Sequence, residues 1–347
     1  MNCDYQDLRS SHPLQACWDL QLGGLGADAL RVALEYGVFD QLRQFTSARH
    51  TAEALALDQQ ATSYLLELLW CQGLLERNEQ QPALYRNLPT AERHLRAEAS
   101  DYCGDALLFR HQVLRQTGSQ LGDYLRSGMP TPSASPQAIA QSWANAARLQ
   151  IAQEQRAVTA EVACALIERL PECARMERVL DLGGGPGLVV IALAERLPNL
   201  TGVVFEYPEA AAVADDNIQR AGLGERLQAL GGDLNHDDIG SGFDLIWCSS
   251  VLHFVHDLPA MLRRLHAALR PGGVLLCCQA EVPSARAAAA QVLPYYLHMR
   301  LQGRHVLAEG ELAQLLQGAG FSAVQQLNRL RFPVTPVNAV IARSAQE

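Results

Sequence analysis

Three carboxylates stand where three successive short apolar runs end: Asp181 in the run 178–182, Glu206 closing 201–206, and Asp233 just after 227–230. The first run passes straight into Gly183, Gly184, Gly185, Pro186 and Gly187, and then into a helical pattern beginning near Leu188. Glycines at such a turn let the chain swing sharply and let a ligand approach the backbone with no Cβ in the way. A dinucleotide site with this turn would need a glycine at 190, counted from Gly185 and Gly187, and Val190 stands there, which disfavours a pyrophosphate. A carboxylate beside the turn repels phosphates as well, but it can receive an ammonium group. Glu206, nineteen residues past Gly187, is spaced to accept the protons of two ribose hydroxyls. Asp233 suits an exocyclic amino group, with Leu234 against the purine face. Any one of these acids alone reads equally well as a helix cap. Together they describe a nucleoside that carries an amino-acid chain, and S-adenosylmethionine (SAM) is such a molecule.

The elements that must position these groups follow from periodicity. Strands are expected at 178–182, 201–206, 227–230, 243–248 and 274–279, with helices between them and further strands at 321–326 and 336–342. This alternation predicts an α/β, Rossmann-like, doubly wound and mostly parallel sheet of seven strands, with ligands at the carboxyl ends. Ahead of it the pattern is helical. Leu30, Ala33, Leu34 and Val38 recur at helical spacing within 27–39, the segments 51–57 and 61–71 repeat the pattern, and 73–77 with 83–87 suit a small hairpin. Helix, helix, hairpin is a winged-helix outline. The segment 62–70, where a recognition helix would lie, carries Glu67 and no arginine, so the outline reads as a dimerisation module rather than a DNA reader. The stretch 127–136, with Pro130, Pro132 and Pro136, reads as a linker or exposed loop, and a helical stretch follows over 137–170. The expected organisation is 1–126 as a helical, winged-helix-like dimerisation domain, 127–177 as linker and acceptor-side helix, and 178–347 as the SAM-binding domain.

Composition narrows the partners. With 347 residues, 48% of them hydrophobic, the chain can bury a large core, and its formal charge of −9 disfavours a nucleic-acid or anionic-membrane partner. No apolar run is long enough to span a bilayer, and residues 1–11 lack the basic start of a secretory signal. The nine cysteines form no C-x-x-C pair, so neither a zinc ribbon nor a disulfide framework is expected, and the thiols read as core residues in a reducing cytoplasm. All twenty-eight basic residues are arginine, which excludes Schiff-base chemistry and a P-loop lysine. A small molecule is the expected partner, and no metal is called for.

With these residues in view, the sequence resembles the class I SAM-dependent methyltransferases, specifically the small-molecule O-methyltransferases of the caffeate and hydroxyindole type. The likeness runs through the N-terminal winged-helix module, 181–187, Phe205 to Pro208, Gly231 to Leu234, Val251 to His253, Leu269 to Gly273, and Ala319 to Phe321. It implies a cytoplasmic homodimer of secondary metabolism that methylates a small hydroxylated metabolite and releases S-adenosylhomocysteine. Asp181, Gly183, Gly185, Gly187, Glu206, Asp233, Leu234 and Ser249 are the implied SAM contacts, and His253 is the implied general base. The implied acceptor wall comprises Trp143, Ala147, Phe254, Tyr295, Tyr296 and Met299.

The departures carry chemistry. Where the family usually follows that histidine with an acid this chain has Phe254, a common glutamate corresponds to Gln279, and a frequent lysine corresponds to Ser249. The charges that strengthen an imidazole base are absent from those places. Two enzymatic readings follow: O-methylation of an easily deprotonated hydroxyl, or a closed pocket in which SAM cyclises to azetidine-2-carboxylate and methylthioadenosine, as in bacterial enzymes that resemble this fold. A SAM-sensing or DNA-binding regulator is the reading from another class.

Overall fold

The structure, a computed structural model, describes residues 11–128 and 135–345. Within these it separates into two compact units, one up to His111 and the other from Gln112 onward. Pro130 and Pro132 of the expected linker lie outside the described residues, as do the residues 1–10, whereas Pro136 opens a helix capped by Ser135, whose hydroxyl accepts from Ala138 N–H at 3.2 Å.

In the first unit the helices Ala48–Leu55 and Gln59–Cys71 are each capped at the N-terminus, by Ser47 and Asp58. The short strands β1 (Thr46–Ser47), β2 (Leu75–Arg77) and β3 (Leu84–Asn87) form a three-stranded sheet in the order β1-β3-β2, in which β2 and β3 pair antiparallel as the expected hairpin. The first helix differs from expectation. It spans Gln15–Glu35 rather than 27–39, and Gly37, at φ 67°, breaks it from a short 3-10 turn at Val38–Gln41. Residues 15–26 escape a periodicity argument because their apolar side chains are not buried within the chain: Trp18, Leu22 and Leu25, spaced along one helical face, are all exposed.

The second unit holds β4 (Arg178–Leu182), β5 (Thr201–Glu206), β6 (Leu227–Gly231), β7 (Phe243–Ser249), β8 (Leu269–Gln279), β9 (Ser322–Leu330) and β10 (Val337–Arg343) in one sheet ordered β6-β5-β4-β7-β8-β10-β9. The first five strands are parallel, while β10 runs antiparallel to both β8 and β9. Strand order reverses direction at β4, between β5 and β7, so the crevice beyond the carboxyl end of β4 is the natural ligand site of this topology. Core residues lie on both faces. Val179, Val204, Trp247 and Leu276 pack on one side, and Leu180, Phe205, Ile246 and Leu275 on the other, as the alternation of strand side chains requires.

The helical stretch before the sheet runs from Pro136–Ala146 to Ala160–Ile167 and includes two π-helical turns, Ala147–Ile151 and Gln155–Thr159. Its last part packs Ala163, Cys164 and Ile167 into the sheet core, so this stretch belongs to the second unit. The wide π turns bring Gln155 inward, to a buried position at the glycine-rich turn.

Candidate active site

The turn after β4 takes its shape from glycine. Gly183, Gly185 and Gly187 have φ of 66°, 57° and 74°, in the left-handed region where a side chain is strained. Space is closed as well: a Cβ on Gly183 would lie 2.4 Å from Val251 Cγ2, and one on Gly184 would lie 2.6 Å from the Asp181 carboxyl carbon. Gln155 holds the turn from outside. Its Nε2 donates to Gly184 O at 3.0 Å, and its Oε1 accepts from Leu188 N–H, the first residue of the helix Leu188–Arg196, at 3.1 Å. Asn217 adds a bond to Pro186 O. The backbone is therefore fixed before any ligand arrives.

The carboxylates lie at the three strand ends, in different surroundings. Asp181 is 2% exposed and sits beneath the turn, its Oδ2 buried without a partner. Burial first, and the nearby Glu206 carboxylate second, push its pKa up to about 7, against a hydrogen bond from Val190 N–H. Glu206 closes β5 and accepts from Gly185 N–H at 3.1 Å and Tyr207 N–H at 2.8 Å. Burial raises its pKa and these two amides oppose the rise. Asp233, half-buried after β6, accepts from Asn235 N–H and from the Asn235 side chain, while Leu234 packs on the sheet core. An orphaned buried carboxylate oxygen under a cradle that any Cβ would fill fits the ammonium end of SAM, and Glu206 and Asp233 stand at the neighbouring strand ends. Ser249 ends β7, half-buried.

His253 lies in the 3-10 turn Leu252–Phe254 that follows β7, two residues from the Val251 that closes over Gly183. It is buried, and its Nδ1 is 2.9 Å from the side-chain nitrogen of Gln279 at the end of β8. Burial pushes its pKa down to about 3, with the positive charge of Arg304 and then His298 adding to the effect. The amide nitrogen faces Nδ1 while its Oε1 is buried without a partner, and the ring tautomer that accepts from this amide is the one with its proton on Nε2.

Around it the aromatic residues form a continuous wall. Trp143 meets Phe254 edge-on at 4.8 Å between ring centroids, Phe254 tilts against His253 at 4.2 Å, and Tyr296 stands edge-on to His253 at 6.1 Å with Tyr295 beside it. The wall therefore brings together Trp143, Phe254, Tyr295 and Tyr296 of the expected residues. Ala147, fully buried against Ala210 and Val213 of the helix Pro208–Arg220, shares that contact with Trp143, and Met299 packs on the sheet core as Tyr295 and Tyr296 do. Two residues of the site were not anticipated. Gln155 lies in a stretch that reads as ordinary helix, and Arg304 follows the helix Leu293–Leu301 in a turn with no periodic signal; its guanidinium stacks on Phe254, Cζ 4.9 Å from the ring centroid. Among the described residues no group of three or more His, Cys, Asp or Glu side chains is arranged to hold a metal ion.

The chain has recognisable relatives. Residues 152–326, half of its length, match the family model of a methyltransferase domain, and residues 18–97 match that of an O-methyltransferase dimerisation domain. It is 26% identical over 334 residues to the 3-hydroxy-5-methyl-1-naphthoate 3-O-methyltransferase of Streptomyces sahachiroi, with 93% of each chain covered. It is also 26% identical over 313 residues to the tetracenomycin polyketide synthesis 8-O-methyl transferase of Streptomyces glaucescens, covering 88% of this chain and 91% of that one. The solved structure of human N-acetylserotonin methyltransferase in complex with SAM superposes with a TM-score of 0.80 at 20% identity, covering 97% of this chain and 99% of that chain.

Proposed function

The chain belongs to the SAM-dependent small-molecule O-methyltransferases, and from that premise we propose that it methylates an acidic aromatic hydroxyl, with His253 holding the acceptor oxygen. What supports this most is the state of His253, buried, low in pKa and paired with an amide where the resemblance implied an acid. A base assisted by a carboxylate strips ordinary phenols. A neutral imidazole with its proton on Nε2 is instead a hydrogen-bond donor, suited to an oxygen that is already anionic.

Bound SAM supplies an electrophilic methyl group on a sulfonium, and the remaining tasks fall to this chain's side chains. In this reading Asp181 balances the ammonium, Glu206 takes the ribose hydroxyls, and Asp233 and Leu234 face the adenine. Trp143, Phe254 and Tyr296 exclude water and flank an aromatic acceptor, so that its oxygen and the methyl carbon meet in line. With SAM bound, an anionic acceptor oxygen would form the new bond to the methyl carbon as the carbon–sulfur bond breaks, its negative charge cancelling the sulfonium's positive one.

Cyclisation of SAM gains no support from the relatives. That reading needs an aromatic pocket for a sulfonium, which Phe254, Trp143, Tyr295 and Tyr296 could furnish, and the Arg304 guanidinium already stacks on the first of these rings. The exposed face with Trp18, Leu22 and Leu25 in the dimerisation segment supports a homodimer, which we place in the cytoplasm.

Methyl-labelled SAM, incubated with the protein and a panel of hydroxylated aromatic compounds, tests the reading by mass spectrometry. The expected result is label on an acceptor oxygen with S-adenosylhomocysteine formed one for one, and no product without acceptor. Methylthioadenosine formed from SAM alone would sink it.

A further inference from the structure

The site has lost two negative charges relative to what the resemblance implied, at Phe254 and Gln279, and it contains a cation that no resemblance pointed to. Arg304 leaves the helix Leu293–Leu301 through a turn at Gly303, φ 73°, and its own N–H bonds back to Met299 O at 3.0 Å, which fixes where its side chain starts. The side chain is half-buried and lies across Phe254, itself flanked by Trp143 and His253. The guanidinium is close enough to bear electrostatically on His253 on one side and on Tyr207, next to Glu206, on the other. Arg304 thus stands between the cofactor end of the crevice and the acceptor end.

Its Nε is buried with no hydrogen-bond partner, and among the described residues no carboxylate pairs with its guanidinium. A planar guanidinium offers five donors in a fork that matches two oxygens of an anion. Stacking on a ring holds such a group in place but leaves its in-plane N–H groups unsatisfied. A partly buried charge without a counter-charge is costly to keep, and an anionic ligand removes that cost.

We propose that Arg304 is the specificity-determining residue of the acceptor site and binds an anionic oxygen carried on the acceptor's aromatic ring. The inference rests on the methyltransferase reading for the word acceptor, but anion binding itself can be measured without turnover. Two sources supply the same chemistry: a carboxylate substituent beside the hydroxyl, or the phenolate oxygen itself. In either case the ring lies in the aromatic wall and the charge lies in the guanidinium fork, and a neutral ring of the same shape forgoes the second contact.

Calorimetry on the full chain saturated with S-adenosylhomocysteine separates these outcomes, with 2-naphthoate, 4-nitrophenolate and neutral 2-naphthol as probes. For Arg304→Gln the expected result is a loss of about 30-fold in affinity for at least one anionic probe, a change of less than about threefold for 2-naphthol, and unaltered SAM binding. Loss confined to naphthoate assigns the fork to a carboxylate, and loss confined to nitrophenolate assigns it to the phenolate. Arg304→Lys keeps the charge but not the fork, and recovers only part of the loss. Equal losses for the anions and the neutral probe would mean a packing role and overturn the proposal, as would no loss for any of them. A fall in SAM affinity would move Arg304 to the methionyl carboxylate and overturn it too. Absence of labelled methyl on every acceptor would count against the enzymatic reading alone and leave the binding result standing.

Discussion

Asp181→Asn is expected to make the protein more stable and nearly unable to bind SAM. The buried carboxyl has a pKa pushed up to about 7, so the fold favours its neutral form. The stability this contributes is fully present below the unfolded value of about 4 and is lost as pH rises through about 7. Above that pH the folded protein holds an ionised carboxylate whose Oδ2 has no partner. Asparagine keeps the acceptor for Val190 N–H and removes the charge. The unliganded variant should therefore melt roughly 4 °C higher than the parent at pH 8 and differ little at pH 4, given about 1.4 °C per kcal/mol for a chain of this size. SAM affinity should fall by about 100-fold at pH 8, because a charge-assisted hydrogen bond to the ammonium is worth ~1.5–3 kcal/mol. In the parent, affinity should also weaken as pH drops below about 7 and Asp181 takes up a proton. Differential scanning fluorimetry with and without SAM measures both quantities. A variant that melts lower without ligand and binds SAM normally would remove Asp181 from this role.

The second large effect is expected at His253. His253→Ala should lower kcat by about 100-fold with SAM affinity unchanged, since it deletes a donor to a charged oxygen and the alignment that donor gives. A complementary change distinguishes donor from base. Gln279→Glu places a carboxylate beside Nδ1, where it takes the ring N–H, moves the lone pair to Nε2 and stabilises the imidazolium. The imidazole pKa then rises from about 3 toward neutrality, and a base that must be unprotonated fails below its pKa. That variant should gain an acid limb near neutral pH and work on less acidic phenols than the parent. An alanine variant with undiminished turnover would show that His253 faces no reacting atom.

Much of this was legible in the sequence because it depends on local pattern. Strand, glycine turn and helix are consecutive in the chain, and the reversal of strand order at β4 follows from alternation of strands and helices. Asp181, Glu206 and Asp233 could be named because each closes or follows an apolar run. What escaped is what depends on distant partners. Gln155 bonds across 29 residues to Gly184 through a π turn that a helical pattern does not announce. Gln279 could be read as a missing acid, but its contact with Nδ1, which decides where the imidazole proton sits, needs β7 and β8 side by side. Arg304 is one arginine among many, in a turn outside any repeat, and its place on the ring of Phe254 beside His253, with a buried and unpartnered Nε, shows only in three dimensions. The first helix starts earlier than its periodicity suggests for a related reason: Trp18, Leu22 and Leu25 on its outer face are exposed, so inward periodicity does not mark its start.

In the proposed function, methyl transfer uses an acceptor oxygen that is already anionic, beside a histidine that stays neutral. The pH dependence of kcat/KM, measured above pH 7.5 where Asp181 is ionised and with two aromatic acceptors whose hydroxyl pKa values differ by about two units, tests this most directly. One acid limb that moves with the acceptor's own pKa is expected. A limb at the same pH for both acceptors would place the titrating group on the enzyme and contradict it.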